Sequence, residues 1–261
     1  MADCVGGILR ELGHGRFRVE HPLVVNAKDG SVLVYVPEGE YEMGDGKDTD
    51  CAKHRVHVSA YWIGVYAVSN AQYLRFVQAT GHRGPDGADY GEPVWKGKAF
   101  PAQKAEHPVV CVSWDDAVAY AKWAGCELAS EAQWEKAERG PLGLVYPWGG
   151  EWDEKKCRND KNKGGEQTSR VYDYAQGASG YGTYNQSGNV WEWCADWYDK
   201  DYYGKAAVRD PRGPEGGSLR VNRGGCWRSG APGNFRAAYR SGCDPGFRFG
   251  NLGLRLVRTA S

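Results

Sequence analysis

His107-Pro-Val-Val-Cys-Val-Ser-Trp-Asp-Asp-Ala117 joins an apolar run to the start of a helix. Ser113 stands three residues before Asp116, the spacing at which a hydroxyl cap and an acid each satisfy the other's orphan backbone N–H. The apolar positions Ala117, Tyr120, Ala121 and Ala124 then recur at helical spacing, and Gly125 stands where that helix should stop. The same device appears on either side, in Ser69-Asn-Ala-Gln72 before Leu74 and Val77, and in Ser130-Glu-Ala-Gln133. The spacing therefore predicts helices near 70–80, 114–124 and 131–139, with Gly81 and Gly140 ending the first and third.

Strands are short wherever they can be read. Val32–Val36 alternates, Tyr41–Gly44 follows after a turn, and Val56–Val68 reads as two more strands. Beyond Pro147 the chain is rich in Gly, Tyr, Trp and Asn, and is expected to be irregular but packed. The 11 Trp, 16 Tyr and 37 Gly suit that expectation, because rings supply core area at few positions and glycine lets the backbone turn freely. A helical bundle is a poor fit. Thirty-three basic and 33 acidic residues give no net charge, and the signs are mixed along the chain. Such a balance argues against nucleic acid as a partner. No apolar run reaches the ~20 residues of a membrane span. The opening Met-Ala-Asp-Cys-Val-Gly-Gly lacks the pattern of a signal peptide. The eight cysteines form no Cys-x-x-Cys pair, so buried or incidental thiols are expected, with one or two disulfides as the alternative.

Further strings fall into order with these. They are Glu42-Met-Gly44, Val68-Ser-Asn-Ala-Gln-Tyr73, Ala129-Ser-Glu-Ala-Gln-Trp-Glu135, Tyr146-Pro-Trp-Gly149, Ser187-Gly-Asn-Val-Trp-Glu-Trp193, Arg223-Gly-Gly225 and Asn251-Leu-Gly-Leu-Arg-Leu256. Together with 107–117 they resemble the formylglycine-generating enzyme (sulfatase-modifying factor) family across roughly residues 32–258. The resemblance implies an α+β domain of C-type-lectin-like fold over 32–261, with few helices, short twisted strands and mostly irregular loops. Residues 1–31 would be an N-terminal extension packed on or preceding it.

The family's oxidase chemistry uses two copper-binding cysteines just after the Gly-Gly pair. Here that segment reads Gly224-Gly-Cys-Trp-Arg-Ser-Gly-Ala-Pro-Gly-Asn-Phe-Arg236. The first ligand position falls near Ser229, Cys226 is displaced by about three residues, and Cys243 lies too far along. On this reading copper is not expected and the chain is not an enzyme. Calcium is the surviving metal. Asn185-Gln-Ser-Gly-Asn-Val-Trp-Glu192 resembles the family's structural calcium loop, in which Asn185 and Glu192 would give side-chain oxygens and Gly188 and Val190 carbonyls. A Gly-turn anchored by Trp191 and Trp193 is the alternative. His54-x-x-His57 falls in a strand, where residues three apart face opposite sides. Asp45-Gly-Lys-Asp-Thr-Asp50 reads as a solvated turn.

From Gly224 to Ser261 the chain holds no Lys, Glu, Gln or Met. Gly224-Gly225, Trp227, Arg236-Ala-Ala, Arg240, Pro245, Arg248 and Leu252-Gly-Leu-Arg-Leu256 read as fixed. Between them lies an assortment: Cys226, Arg228, Ser229, Gly230, Gly233, Phe235, Tyr239, Ser241, Gly242, Cys243, Asp244, Gly246, Phe247, Phe249 and Gly250. This alternation resembles the variable region of diversity-generating retroelement proteins, in which random replacement of template adenines, mostly in Asn codons, cannot yield Lys, Gln, Glu, Met or Trp. The resemblance implies a hypervariable ligand-binding segment over 224–256, carried by a monomer at the cell surface or secreted, whose ligand is a protein or other macromolecule. Such positions are expected to face solvent, because arbitrary changes in a core cost ~2–5 kcal/mol. The alternative is an oxidoreductase of the formylglycine-generating or sulfoxide-synthase type, or a regulator derived from one.

Overall fold

The computed structural model describes residues 9–11, 17–19 and 21–260. Cys4 and most of the first twenty residues lie outside the described residues. The strands are β1 (Leu9–Glu11), β2 (Phe17–Val19), β3 (Leu23–Val25), β4 (Val32–Val36), β5 (Gly39–Met43), β6 (His54–Val58), β7 (Tyr61–Gly64), β8 (Glu127–Leu128), β9 (Trp191–Trp197), β10 (Arg220–Arg223), β11 (Arg240–Cys243), β12 (Leu252–Leu254) and β13 (Leu256–Thr259). Among the described residues three α-helices accompany them: α1 (Asn70–Thr80), α2 (Trp114–Trp123) and α3 (Glu131–Arg139).

All three expected capping boxes are formed, with both reciprocal bonds present at Ser69/Gln72, Ser113/Asp116 and Ser130/Gln133. Asp116 serves as well as the amides do: its carboxylate accepts the Ser113 N–H at 2.9 Å and also meets His82 Nε2 at 2.9 Å. Gly81 ends α1 at a φ of 76°, where its N–H reaches the Val77 carbonyl.

A five-stranded sheet, ordered β3-β4-β7-β13-β8, runs through the centre. Alternation along its strands sends side chains to two faces. Leu33, Trp62 and Leu256 join a cluster with Tyr73 and Phe76 of α1 and Tyr120 of α2. Their neighbours Val34, Ile63 and Val257 join a second cluster with Ala132, Trp134 and Ala137 of α3. The sheet thus separates α1 and α2 from α3. Because β3 pairs with β4 from Leu23 to Val25, the last part of segment 1–31 is built into this sheet. A second sheet, ordered β11-β10-β9-β12, carries the late part of the chain, with β12 parallel to β9 and the other pairs antiparallel.

Helix α3 differs from an ordinary amphipathic helix, since its charged side chains are buried along with its apolar ones. Glu135 accepts from Arg139 Nε at 2.8 Å and also pairs with Arg223 of β10. Glu131 takes a two-pronged bond from Arg240 of β11 at 2.8 and 2.7 Å and lies 3.3 Å from Arg223. Arg139 donates onward to the Gly44 carbonyl, and Lys136 to the carbonyls of Pro37 and Gly39. One short helix therefore holds the turn before β5, the end of β5, β10 and β11 by charge-assisted bonds.

Removing one member of such a ladder strands its partners. We expect Glu135→Ala to cost about 3–5 kcal/mol in chemical denaturation, because Arg139 and Arg223 lose a buried counter-ion; a loss below about 1 kcal/mol would show that the ladder is not a support.

Glu138, also on α3, accepts from Ser187 Oγ at 2.7 Å through one oxygen, while the other is buried without a partner. Burial raises its carboxyl from 4.5 to about 8. The folded chain then holds a proton that the unfolded chain releases, so stability is full below 4.5 and falls as pH rises towards about 8. The slope from this one group is at most roughly 1.4 kcal/mol per pH unit. Thermal melting across this range should show a shallower decline in Glu138→Gln than in the unaltered chain, and equal slopes would mean that Glu138 is ionised in the fold.

Candidate functional site

The assorted positions of the C-terminal segment fall in β11, the edge strand of the second sheet, which holds Ser241, Gly242 and Cys243, and in the two loops on either side of it. Their entry point is fixed by Gly224. Its φ of 100° suits glycine, and a Cβ there would lie 2.2 Å from the Gln186 carbonyl oxygen. Trp227 is then buried beneath the first loop, with Nε1 donating to the Gly250 carbonyl at 3.3 Å. Arg236 pairs with Asp45 and Asp48, and Arg240 donates to the Asp50 carbonyl at 3.2 Å and the Asp199 carbonyl at 3.1 Å. The 45–50 loop is exposed at Gly46, Lys47 and Thr49, as a solvated turn would be. It is also tied to the segment by these arginines and to the end of β9 by Tyr198, whose hydroxyl donates to Asp50 at 2.8 Å.

On this frame Arg228, Gly230, Asp244, Gly246 and Phe247 are exposed, and Gly233, Tyr239, Ser241, Gly242 and Phe249 are half-buried. The other five positions do not face solvent as expected. Phe235 is fully buried because it stacks on Trp152 at 4.6 Å and packs with Tyr146 and Cys157. Cys243 belongs to the cluster around α1 and α2. Cys226 is enclosed by donors, with its Sγ accepting from Asn251 Nδ2 at 3.2 Å and the Arg228 N–H at 3.4 Å. Ser229 is held against it, since Ser229 Oγ accepts the Cys226 N–H at 3.2 Å. Gly250 is covered through the bond from its N–H to the Tyr90 carbonyl.

The exposed members are joined by a residue that the sequence reading did not single out. The Arg228 guanidinium lies 4.8 Å from the Tyr90 ring centroid. Tyr90 meets Phe249 edge-on at 5.9 Å, and Phe249 lies 5.4 Å from Phe247. The 89–90 and 248–250 backbones hold each other: Asp89 N–H donates to the Arg248 carbonyl, and Arg248 N–H to the Asp89 carboxylate at 2.8 Å. Tyr90 and Phe247 are 47% and 45% exposed, so this row of π groups is open to a partner. The cue lay in Tyr90 following Asp86-Gly-Ala-Asp89, but nothing local in that string shows which segment it meets.

Metal chemistry finds less support. Both Glu192 oxygens are engaged by Arg255, at 2.7 and 2.9 Å, and one also accepts from Trp134 Nε1 at 2.7 Å. A calcium ion bound there would sit beside a buried guanidinium, so Glu192 does not fit a calcium shell. Asn185 keeps one buried oxygen without a partner, while its amide donates to the carbonyls of Val171 and Asp173. The set of Asn185, Gly188, Val190 and Glu192 thus fits at one end only. Copper lacks a thiolate pair at the Gly-Gly turn, where Cys226 faces Ser229, Asn251 and the Arg228 backbone. Seven described cysteines are free and buried, and burial pushes the thiols of Cys51, Cys111 and Cys157 up to about 12. His54 lies against Tyr203 at 4.5 Å, and among the described residues no group of three or more His, Cys, Asp and Glu side chains is placed to hold a metal ion. No helix among the described residues is long and apolar enough to cross a membrane.

Sulfatase-modifying factor enzyme 1-like domains match residues 21–260. The formylglycine-generating enzyme of Streptomyces coelicolor is 34% identical over 87% of this chain and 89% of its own length. That of Thermomonospora curvata is 38% identical over 74% of this chain and 81% of its own. Treponema denticola variable protein 1 shares the fold, with a TM-score of 0.71 over 98% of this chain and 100% of that one at 21% identity. These likenesses agree with the α+β, C-type-lectin-like architecture described above. They also correct one expectation. Absence of the two ligand cysteines pointed to a chain without enzymatic activity, whereas relatives at 34% and 38% identity over most of the chain are named enzymes and point to an enzyme. With its family match spanning nearly the whole sequence, this chain belongs to the sulfatase-modifying factor enzyme 1-like, or formylglycine-generating-enzyme, family.

Proposed function

We propose that the two loops flanking β11 form a ligand-binding face for a protein or other macromolecule, with Arg228, Phe247 and Phe249 as its contact residues and Tyr90 joining them. The observation that carries this reading is the exposed row from Arg228 through Tyr90 and Phe249 to Phe247. Arginine and aromatic side chains dominate binding hot spots, the rings because they bury much area at few rotatable bonds and arginine because its planar fork offers five donors. Lack of Lys, Glu, Gln and Met from 224 onward supports a diversified origin for the displayed positions. Gly230 and Gly233 are in keeping with it, since a Cβ at either meets nothing closer than 3.6 Å.

A second reading is favoured by the two enzyme relatives: the same face engages a substrate and the chain is an oxidoreductase of the formylglycine-generating type. Chemistry there would run through groups other than a thiolate pair at the Gly-Gly turn. The two readings share the face and differ in whether a bound partner is chemically changed.

Both can be tested with one variant, Arg228→Ser combined with Phe247→Ser. Its stability should stay within about 0.5 kcal/mol of the unaltered chain, as exposed changes usually do. Trp227→Ala, by contrast, should cost about 3–5 kcal/mol. Phage-displayed peptides selected on the unaltered chain should bind the double variant at least about tenfold more weakly, a loss of roughly 1.4 kcal/mol, yet bind Leu142→Ser unchanged. Peptides that do not distinguish the double variant would remove the face from consideration. For the second reading, a cysteine-containing sulfatase peptide is incubated with the chain, dioxygen as oxidant and a thiol reductant, and followed by mass spectrometry for loss of the sulfur as sulfide and gain of the aldehyde oxygen. Conversion to the aldehyde that the double variant slows would make the face a substrate site, while no conversion would count against the oxidase reading.

A further inference from the structure

A separate cleft of about 620 Å³ opens on the other side of Phe235, within the usual range for small-molecule sites. One wall is formed by the indoles of Trp148 and Trp152, and the charged lining is Glu151, Asp153, Glu154, Lys156 and Lys161. Both indoles are half-buried. Each is backed by an inner ring: Trp148 stacks on Tyr146 at 5.4 Å and 6°, and Trp152 stacks on Phe235 at 4.6 Å and 27°. The backbone is equally fixed. Tyr146 and Gly149 exchange two hydrogen bonds at 2.9 and 3.0 Å, and Trp148 Nε1 donates to the Glu151 carbonyl at 3.0 Å. The two indoles, 5.9 Å apart and inclined at 53°, pack on each other, so they form one aromatic wall whose shape is fixed without a ligand.

We propose that this cleft binds a neutral pyranose, a sugar ring with apolar faces and hydroxyl edges. The faces of such a ring carry polarised C–H groups, which are attracted by the electron-rich face of an indole. Its hydroxyls both donate and accept, and the rim offers both kinds of partner: carboxylates at Glu151, Asp153 and Glu154, ammonium groups at Lys156 and Lys161. Lys161 lies 3.6 Å from Glu154 with both side chains largely exposed, so either can turn to a ligand hydroxyl. Other occupants fit less well. A cationic ligand would gain from the indoles and three carboxylates but could not use the two ammonium groups, which a neutral ring's hydroxyls can. A flat apolar ring would stack on the indoles but would gain nothing from the charged rim.

This site does not rest on the face at Arg228 and Phe247, and the two can fail separately. The test uses the whole chain with the methyl pyranosides of glucose, galactose, mannose and N-acetylglucosamine as probes. Binding is followed by saturation-transfer NMR and by quenching of tryptophan fluorescence. At least one probe should bind saturably. Trp148→Ala should weaken it at least about tenfold, in line with loss of one ring contact. Lys161→Met, a change at an exposed side chain, should weaken the same probe without altering the melting temperature. Phe247→Ser should leave binding unchanged. If no probe gives a saturable signal, or if binding survives both Trp148→Ala and Lys161→Met, the cleft is not a sugar site.

Discussion

Five charged side chains run through the interior beneath the second sheet, in the order Arg139, Glu135, Arg223, Glu131 and Arg240. Each is almost wholly removed from water. Burying charge is costly unless every member is paired, so the ladder tolerates only one arrangement of α3, β10 and β11. Arg223 completes it by donating to the carbonyls of Ala237 and Ala238 at 2.7 and 2.9 Å, which places the chain just before β11. The loops on either side of β11 are thus held by their ends from within. Their outward residues can differ without disturbing the support.

That separation gives the face its character. Arg236 and Arg240 anchor inward and sideways to the 45–50 loop, while Arg228 turns to Tyr90 at the surface. Similar side chains, a few residues apart, serve as frame and as contact. The same segment reaches a second place, because Phe235 lies under the indole of Trp152. A change at Phe235 would therefore be felt in the cleft lined by Trp148 and Trp152 as well as in the core.

Much of this was legible in local sequence. The three helices follow from Ser69, Ser113 and Ser130, each three residues from its capping partner, and β4 follows from the alternation of Val32–Val36. Capping and alternation are short-range rules and survive without knowledge of the fold. The parts that could not be read depend on distant pairing. Glu131, Glu135 and Glu138 look like an exposed helix face until Arg223, Arg240 and Ser187 arrive from far along the chain. Glu192 looks like a calcium ligand for the same reason, since Arg255, which occupies it, is 63 residues away. Phe235 reads as a displayed ring because neighbouring positions are displayed, yet Trp152 covers it. The inference from missing cysteines to missing activity fails differently, because it weighs one turn against a similarity that spans the chain.

The central claim is that frame and displayed residues are energetically separate. It can be tested by two libraries, one randomising Arg228, Asp244, Gly246 and Phe247 together, the other Cys226, Phe235, Cys243 and Gly250, each scored for the fraction of clones that resist protease. Exposed positions usually change stability by no more than about 0.5 kcal/mol, so most clones of the first library should remain folded. Core changes of ~2–5 kcal/mol should unfold most clones of the second. Equal survival in the two libraries would contradict the account.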